Sequence, residues 1–126
     1  MFKVLPESEG HVLGVEVSRG YTKKDMQAFK EAFEQKIAQG HGRINLLVRL
    51  DKLDLSKVPV EHYIEDCRYA LSQGENLGRI AVVGNSPMAR AMVTADNLIM
   101  AGPKRGITER YFDLAELEQA WEFVRG

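Results

Sequence analysis

The run Val12-Leu13-Gly14-Val15-Glu16-Val17 alternates weakly between apolar and polar positions and is rich in β-branched residues, which predicts a strand. Phe2-Lys3-Val4-Leu5, closed by Pro6, predicts a shorter strand before it. The period then changes. Met26, Phe29, Phe33 and Ile37 recur at steps of three and four, which places them on one helical face. Thr22 stands where that helix needs an N-cap, and Gly40-His41-Gly42 tolerates the left-handed turn that ends it. Ile44-Asn45-Leu46-Leu47-Val48-Arg49-Leu50 is apolar on both faces towards its middle, the pattern of a central strand covered on both sides.

Asp51 to Lys57 reads as a polar connection. Pro59 suits the first turn of a second helix, with Val60, Tyr63, Ile64, Cys67 and Leu71 on its inner stripe and Gly74 as its stop. Ile80 to Val83 is the third core strand. Pro87 to about Met100 is a third helix, broken by Gly102-Pro103. Thr108 to Phe112 is the last strand. Asp113 and Glu116 then form the carboxylate variant of a capping box, and Phe112 can staple onto Leu117. Leu114, Leu117, Trp121 and Val124 make the buried stripe of the final helix, with the only tryptophan in its core.

The predicted order is β-β-α-β-α-β-α-β-α. Strands alternating with helices define an α/β domain with a mainly parallel five-stranded sheet, an antiparallel edge from the first pair, and four helices. The 126 residues contain no repeat, low-complexity stretch or linker, so residues 1–126 read as one domain.

Charge and cysteine usage narrow the partners. Lys and Arg total 17 against 18 Asp and Glu, so the basic excess that a nucleic-acid binder concentrates on one face is missing from the composition. The single cysteine, Cys67, cannot close an internal disulfide, and no CxxC pair offers a zinc site. The first residues lack the apolar core of a signal peptide, and no apolar run reaches membrane-spanning length. These features point to a cytoplasmic protein without stable membrane insertion.

Candidate chemistry is sparse. Gly84 follows an apolar strand like the first glycine of a phosphate cradle, but Asn85-Ser86-Pro87-Met88-Ala89 supplies no second glycine and no Gly-Lys-Ser/Thr. Ser86 as N-cap and Pro87 at the first helical position account for the stretch as a helix start. His11, His41 and His62 have no metal-ligand spacing, and no metal or cofactor is expected. Cys67 shares its apolar stripe with Ile64 and Leu71, where burial makes a thiol inert. Asp51, Asp54, Glu61, Glu65 and Asp66 are spaced as a charged surface. No catalytic constellation emerges, and the expected function is non-enzymatic.

The third helix is unusual. Met88, Ala89, Ala91, Met92, Val93, Ala95, Leu98, Ile99, Met100 and Ala101 leave only Arg90, Thr94, Asp96 and Asn97 as polar breaks. That arc is wider than a core stripe needs, and methionine suits surfaces that adapt to their partners. It fits a well-buried helix, the wall of an apolar pocket, or a homodimer face.

Four blocks carry a family resemblance: "HVLGVEVSRGYTKKDMQAF" at 11–29, "RINLLVRLD" at 43–51, "RIAVVG" at 79–84 and "RYFDLAELEQAWEFV" at 110–124. Together they resemble the SpoIIAA-like family of small bacterial proteins, whose fold is of the STAS type (sulfate transporter and anti-sigma-factor antagonist). The resemblance implies two functions. The fold is also similar to lipid-transfer domains, which implies a carrier of nonpolar ligands. In this chain the wall of such a groove would be Tyr63, Ile64, Cys67, Met88, Met92 and Ile99, between the second and third helices. The anti-sigma-factor antagonists instead imply a protein-interaction module, switched by phosphorylation of a serine in an Asp-Ser-Ser-Gly-like motif after the central strand. Here that region reads Leu50-Asp51-Lys52-Leu53-Asp54-Leu55-Ser56-Lys57, and Ser56 is its only hydroxyl, without the paired serine or the glycine. The carrier is the preferred expectation and the interaction module the alternative.

Overall fold

Backbone hydrogen bonding builds one five-stranded sheet whose spatial order follows the chain: β1 (Phe2–Val4), β2 (Val12–Arg19), β3 (Ile44–Leu53), β4 (Leu77–Gly84) and β5 (Thr108–Asp113). It is seen in a computed structural model that describes residues 2–20, 22–40, 42–53, 76–85 and 108–126, together with Pro87 and Ala91. β1 pairs antiparallel with β2, and β2 through β5 pair parallel, so the expected antiparallel edge and parallel body are both present.

Two helices are described, α1 (Lys23–Ala38) and α2 (Leu117–Arg125). The expected second helix lies outside the described residues. Of the expected third, Pro87 and Ala91 are helical and exposed, and the remainder lies outside them.

Period-two alternation divides the core between the faces of the sheet. Leu13, Val15, Ile44, Leu46, Leu77, Ile80 and Val82 gather on the α1 face around the fully buried Phe33. Phe29 stacks parallel to Phe33 at 6.4 Å and takes Phe2 edge-on at 6.2 Å, which ties α1 to the short edge strand. On the other face, Val12, Leu47, Ala81, Val83 and Phe112 receive Ala120, Trp121 and Val124 of α2. Both central strands are therefore apolar on both faces for the reason expected.

Thr22 caps α1 as its sequence predicts. Its hydroxyl accepts from the Asp25 N–H at 3.3 Å, and the Asp25 carboxylate accepts from both the N–H and the hydroxyl of Thr22 at 3.0 Å. Partial burial by itself raises the Asp25 carboxyl, but the Thr22 hydrogen bonds pull it down and the net shift is below its ordinary value. A carboxyl depressed on folding contributes stability above its unfolded range and loses it as pH falls through the folded value. Asp25→Asn is therefore expected to be destabilising at neutral pH and equivalent to the parent in strong acid. Urea midpoints measured against pH check this; a gap that persists below the folded value contradicts it.

Three expectations are corrected. β3 does not end at Leu50 but runs through Asp51 and Lys52 to Leu53, because β2 continues beside it to Arg19. The Asp113–Glu116 box is present, but it opens a 3-10 turn over Leu114–Glu116, and α2 begins only at Leu117. That tighter turn carries Leu114 off the buried stripe, and it is 37% exposed.

Two side chains hold α2 on the sheet. The pairing of β3 with β4 shifts between Ile44 and Leu46, which face Leu77 and Ile80, so β4 carries one extra residue there. The buried Asn45 fills the gap: its Oδ1 accepts from the Arg79 N–H at 2.8 Å, and its Nδ2 donates to the Val124 carbonyl at 2.6 Å. Arg79 Nη1 donates to the neighbouring Phe123 carbonyl at 2.9 Å. The last turn of a helix leaves its carbonyls without intrahelical partners, and here the sheet supplies them.

Candidate functional site

In open parallel sheets, the loops that bind ligands and partners leave from the carboxyl ends of the strands. Here those ends are Arg19, Leu53, Gly84 and Asp113. The pairing of β2 with β3 is irregular, with Glu16 beside Arg49 but Ser18 beside Lys52, so β3 carries an extra residue. The bulge leaves both Arg49 and Lys52 beside Glu16.

Arg49 grips Asp51 with a two-pronged bond, Nε to Oδ1 and Nη2 to Oδ2, both at 3.0 Å. The Asp51 side chain is only 4% exposed. Its hydrogen bonds raise the Arg49 guanidinium above its ordinary value; burial opposes this, and the charges of Asp51, Glu16 and Glu7 add to the rise. Lys52 Nζ meets Glu16 Oε1 at 3.3 Å and stays largely in solvent. Asn85, the first residue after β4, donates to the Asp51 carbonyl at 3.3 Å and ties the two strand ends together.

With both carboxylate oxygens engaged by one guanidinium, Asp51 is a positioned anchor and not an available base. The arrangement fixes the end of β3, from which the chain leads towards Ser56. Among the described residues, no group of three or more His, Cys, Asp or Glu side chains could hold a metal ion. Asp51→Asn keeps the shape, removes the charge and leaves Arg49 partly buried. It is expected to cost about 1–2 kcal/mol, less than a fully buried pair because Arg49 is partly solvated. Equilibrium denaturation checks this, and an unchanged midpoint would show the pair to be ornamental.

Ser56, Tyr63, Ile64, Cys67, Met88, Met92 and Ile99 all lie outside the described residues. The sequence reading took Asp51 for part of a charged surface, whereas the fold buries its side chain. Its signal was the spacing Arg49-x-Asp51, which puts opposite charges two residues apart on one face of a strand.

The fold and this site define a small α/β module with a mixed sheet. The chain belongs to the SpoIIAA-like family, whose profile matches residues 12–125. Two solved structures share the fold. One is an uncharacterised protein with a SpoIIAA-like fold from Shewanella loihica, 15% identical, covering 98% of this chain and 92% of that one with a TM-score of 0.71. The other is an anti-sigma factor antagonist from Mycobacterium paratuberculosis, 20% identical, covering 100% and 96% with a TM-score of 0.55. No curated protein matches the sequence. No described helix is long and apolar enough to cross a membrane.

Proposed function

We propose that this chain is a regulatory protein-interaction module of the anti-sigma-factor-antagonist type. The observation that carries the reading is the end-to-end likeness to the mycobacterial antagonist, which spans 100% of this chain and 96% of that one. The pinned end of β3 is consistent with it. Arg49 and Asn85 hold Asp51 where the chain leads towards Ser56, the serine that the switch reading names. A phosphate on Ser56 adds negative charge, and a local change of charge is how a modification alters a docking surface.

The nonpolar carrier rests on Tyr63, Ile64, Cys67, Met88, Met92 and Ile99, and the described residues add no argument for it or for a dimer through the third helix. One experiment separates the readings. The tagged chain is recovered from its own cells after crosslinking, and both protein and solvent-extractable passengers are quantified by mass spectrometry. The module reading expects a stoichiometric protein partner whose recovery falls at least about tenfold in Ser56→Asp and is retained in Ser56→Ala. A stoichiometric nonpolar passenger without a protein partner overturns it in favour of the carrier.

A further inference from the structure

Away from the carboxyl ends, the α2 face of the sheet gathers arginines around one aromatic ring. Arg79 of β4 lies level with Thr108 of β5, so Arg110, two residues on, is its diagonal neighbour on the same face. The guanidinium of Arg79 sits 5.3 Å from the centroid of Phe123, and that of Arg110 sits 5.5 Å from the same ring and 5.2 Å from Phe112. The two rings are themselves in contact, with centroids 5.7 Å apart.

Both arginines are exposed, and neither forms an ion pair among the described residues. Arg79 spends one N–H on the Phe123 carbonyl, whereas no hydrogen bond among the described residues engages the Arg110 guanidinium.

Two like charges on adjacent strands repel, and α2 and the sheet need only Arg79 for capping. Both rings lie within cation–π distance of the second guanidinium and restrict it, and no hydrogen bond among the described residues engages its N–H groups. Such a fork matches the geometry of a carboxylate.

We infer that the Arg79–Phe123–Arg110 face docks an acidic segment of a partner protein, with Arg110 as its principal contact. The inference rests on the module reading and names the chemistry of its partner. Charge complementarity selects the occupant. The chain as a whole carries a net charge of −1, so the attraction belongs to this face and not to a general positive field.

The test is fluorescence anisotropy with a labelled oligo-glutamate peptide at low salt. Saturable binding is expected for the parent chain, weakened at least about tenfold in Arg110→Glu, since a charge-assisted hydrogen bond is lost and repulsion replaces it. Arg110→Ala should weaken it less than Arg110→Glu. Lys24→Glu, an equal charge change at an exposed position of α1, should leave affinity within about twofold. Circular dichroism confirms that each variant is folded.

Equal loss in Lys24→Glu, or no saturable binding by the parent, overturns the inference. Displacement of the peptide by millimolar inorganic phosphate also overturns it, by making the face a phosphate site. The module reading fails separately: a crosslinked partner that survives Arg110→Glu keeps the module and removes this face from it.

Discussion

Asn45→Leu is expected to destabilise the domain by about 2–5 kcal/mol, the sum of two buried polar groups left unpaired. The substitution keeps the branching and heavy-atom count, and because a methyl group cannot approach as closely as the bonded amide atoms, some crowding adds to the polar loss. The Arg79 N–H at the β4 irregularity loses its acceptor, and the Val124 carbonyl loses its donor. Against a total stability of about 5–15 kcal/mol, that is a large share. In urea the midpoint should fall with little change in slope, because the surface exposed on unfolding is nearly the same. Gly78→Ala attacks the contact from the other side, since a Cβ there would overlap Asn45 Oδ1. A midpoint unmoved by Asn45→Leu would mean that water replaces both bonds, and the clamp would have no energetic standing.

Gly14→Val is the second large effect, about 3 kcal/mol from overpacking. A Cβ on Gly14 would overlap Cη2 of Trp121, and Trp121 is only 6% exposed, so the indole has little room to retreat. The strand is equally fixed. The Gly14 N–H donates to Ser8 Oγ at 2.8 Å, and its carbonyl accepts from the Leu5 N–H at 2.8 Å. Trp121→Leu vacates the space, so the two substitutions together should cost less than the sum of their separate costs. The coupling is expected at about 1–3 kcal/mol in a double-mutant cycle. Strict additivity would show that the close approach is not what excludes a side chain at position 14.

The sheet and both described helices were legible because their signals are local. Thr22 and the Met26–Phe33–Ile37 stripe specify α1 within one stretch of chain, and Asp113, Glu116 and Trp121 do the same for α2. The misreadings came from neighbours that the sequence does not reveal. Asp51 looked like a connection because polar residues at a strand end resemble a loop until a partner strand is known to continue beside them. Leu114 matched a helical period that the 3-10 turn does not follow.

Gly14 weakened the alternation of its strand, and glycine inside a strand does signal close approach, but not which residue approaches. The site was less legible than the fold. Arg79 and Arg110 are 31 positions apart in sequence and become neighbours only through the parallel register of β4 and β5. Ser56 and the apolar wall residues had family and periodicity behind them, and they lie outside the described residues.

The bond from Asn45 to Val124 also has a kinetic meaning. Its partners are 79 positions apart, whereas each strand of the sheet pairs with the one before it in the chain. The sheet can therefore grow strand by strand through comparatively short closures, while the docking of α2 must wait for the longest one. A contact across so long a closure is expected to form after the folding transition state. The share of the Asn45→Leu loss that belongs to the Val124 bond should therefore appear as faster unfolding, whereas the share that belongs to the Arg79 N–H, within the β3–β4 pairing, should also slow refolding.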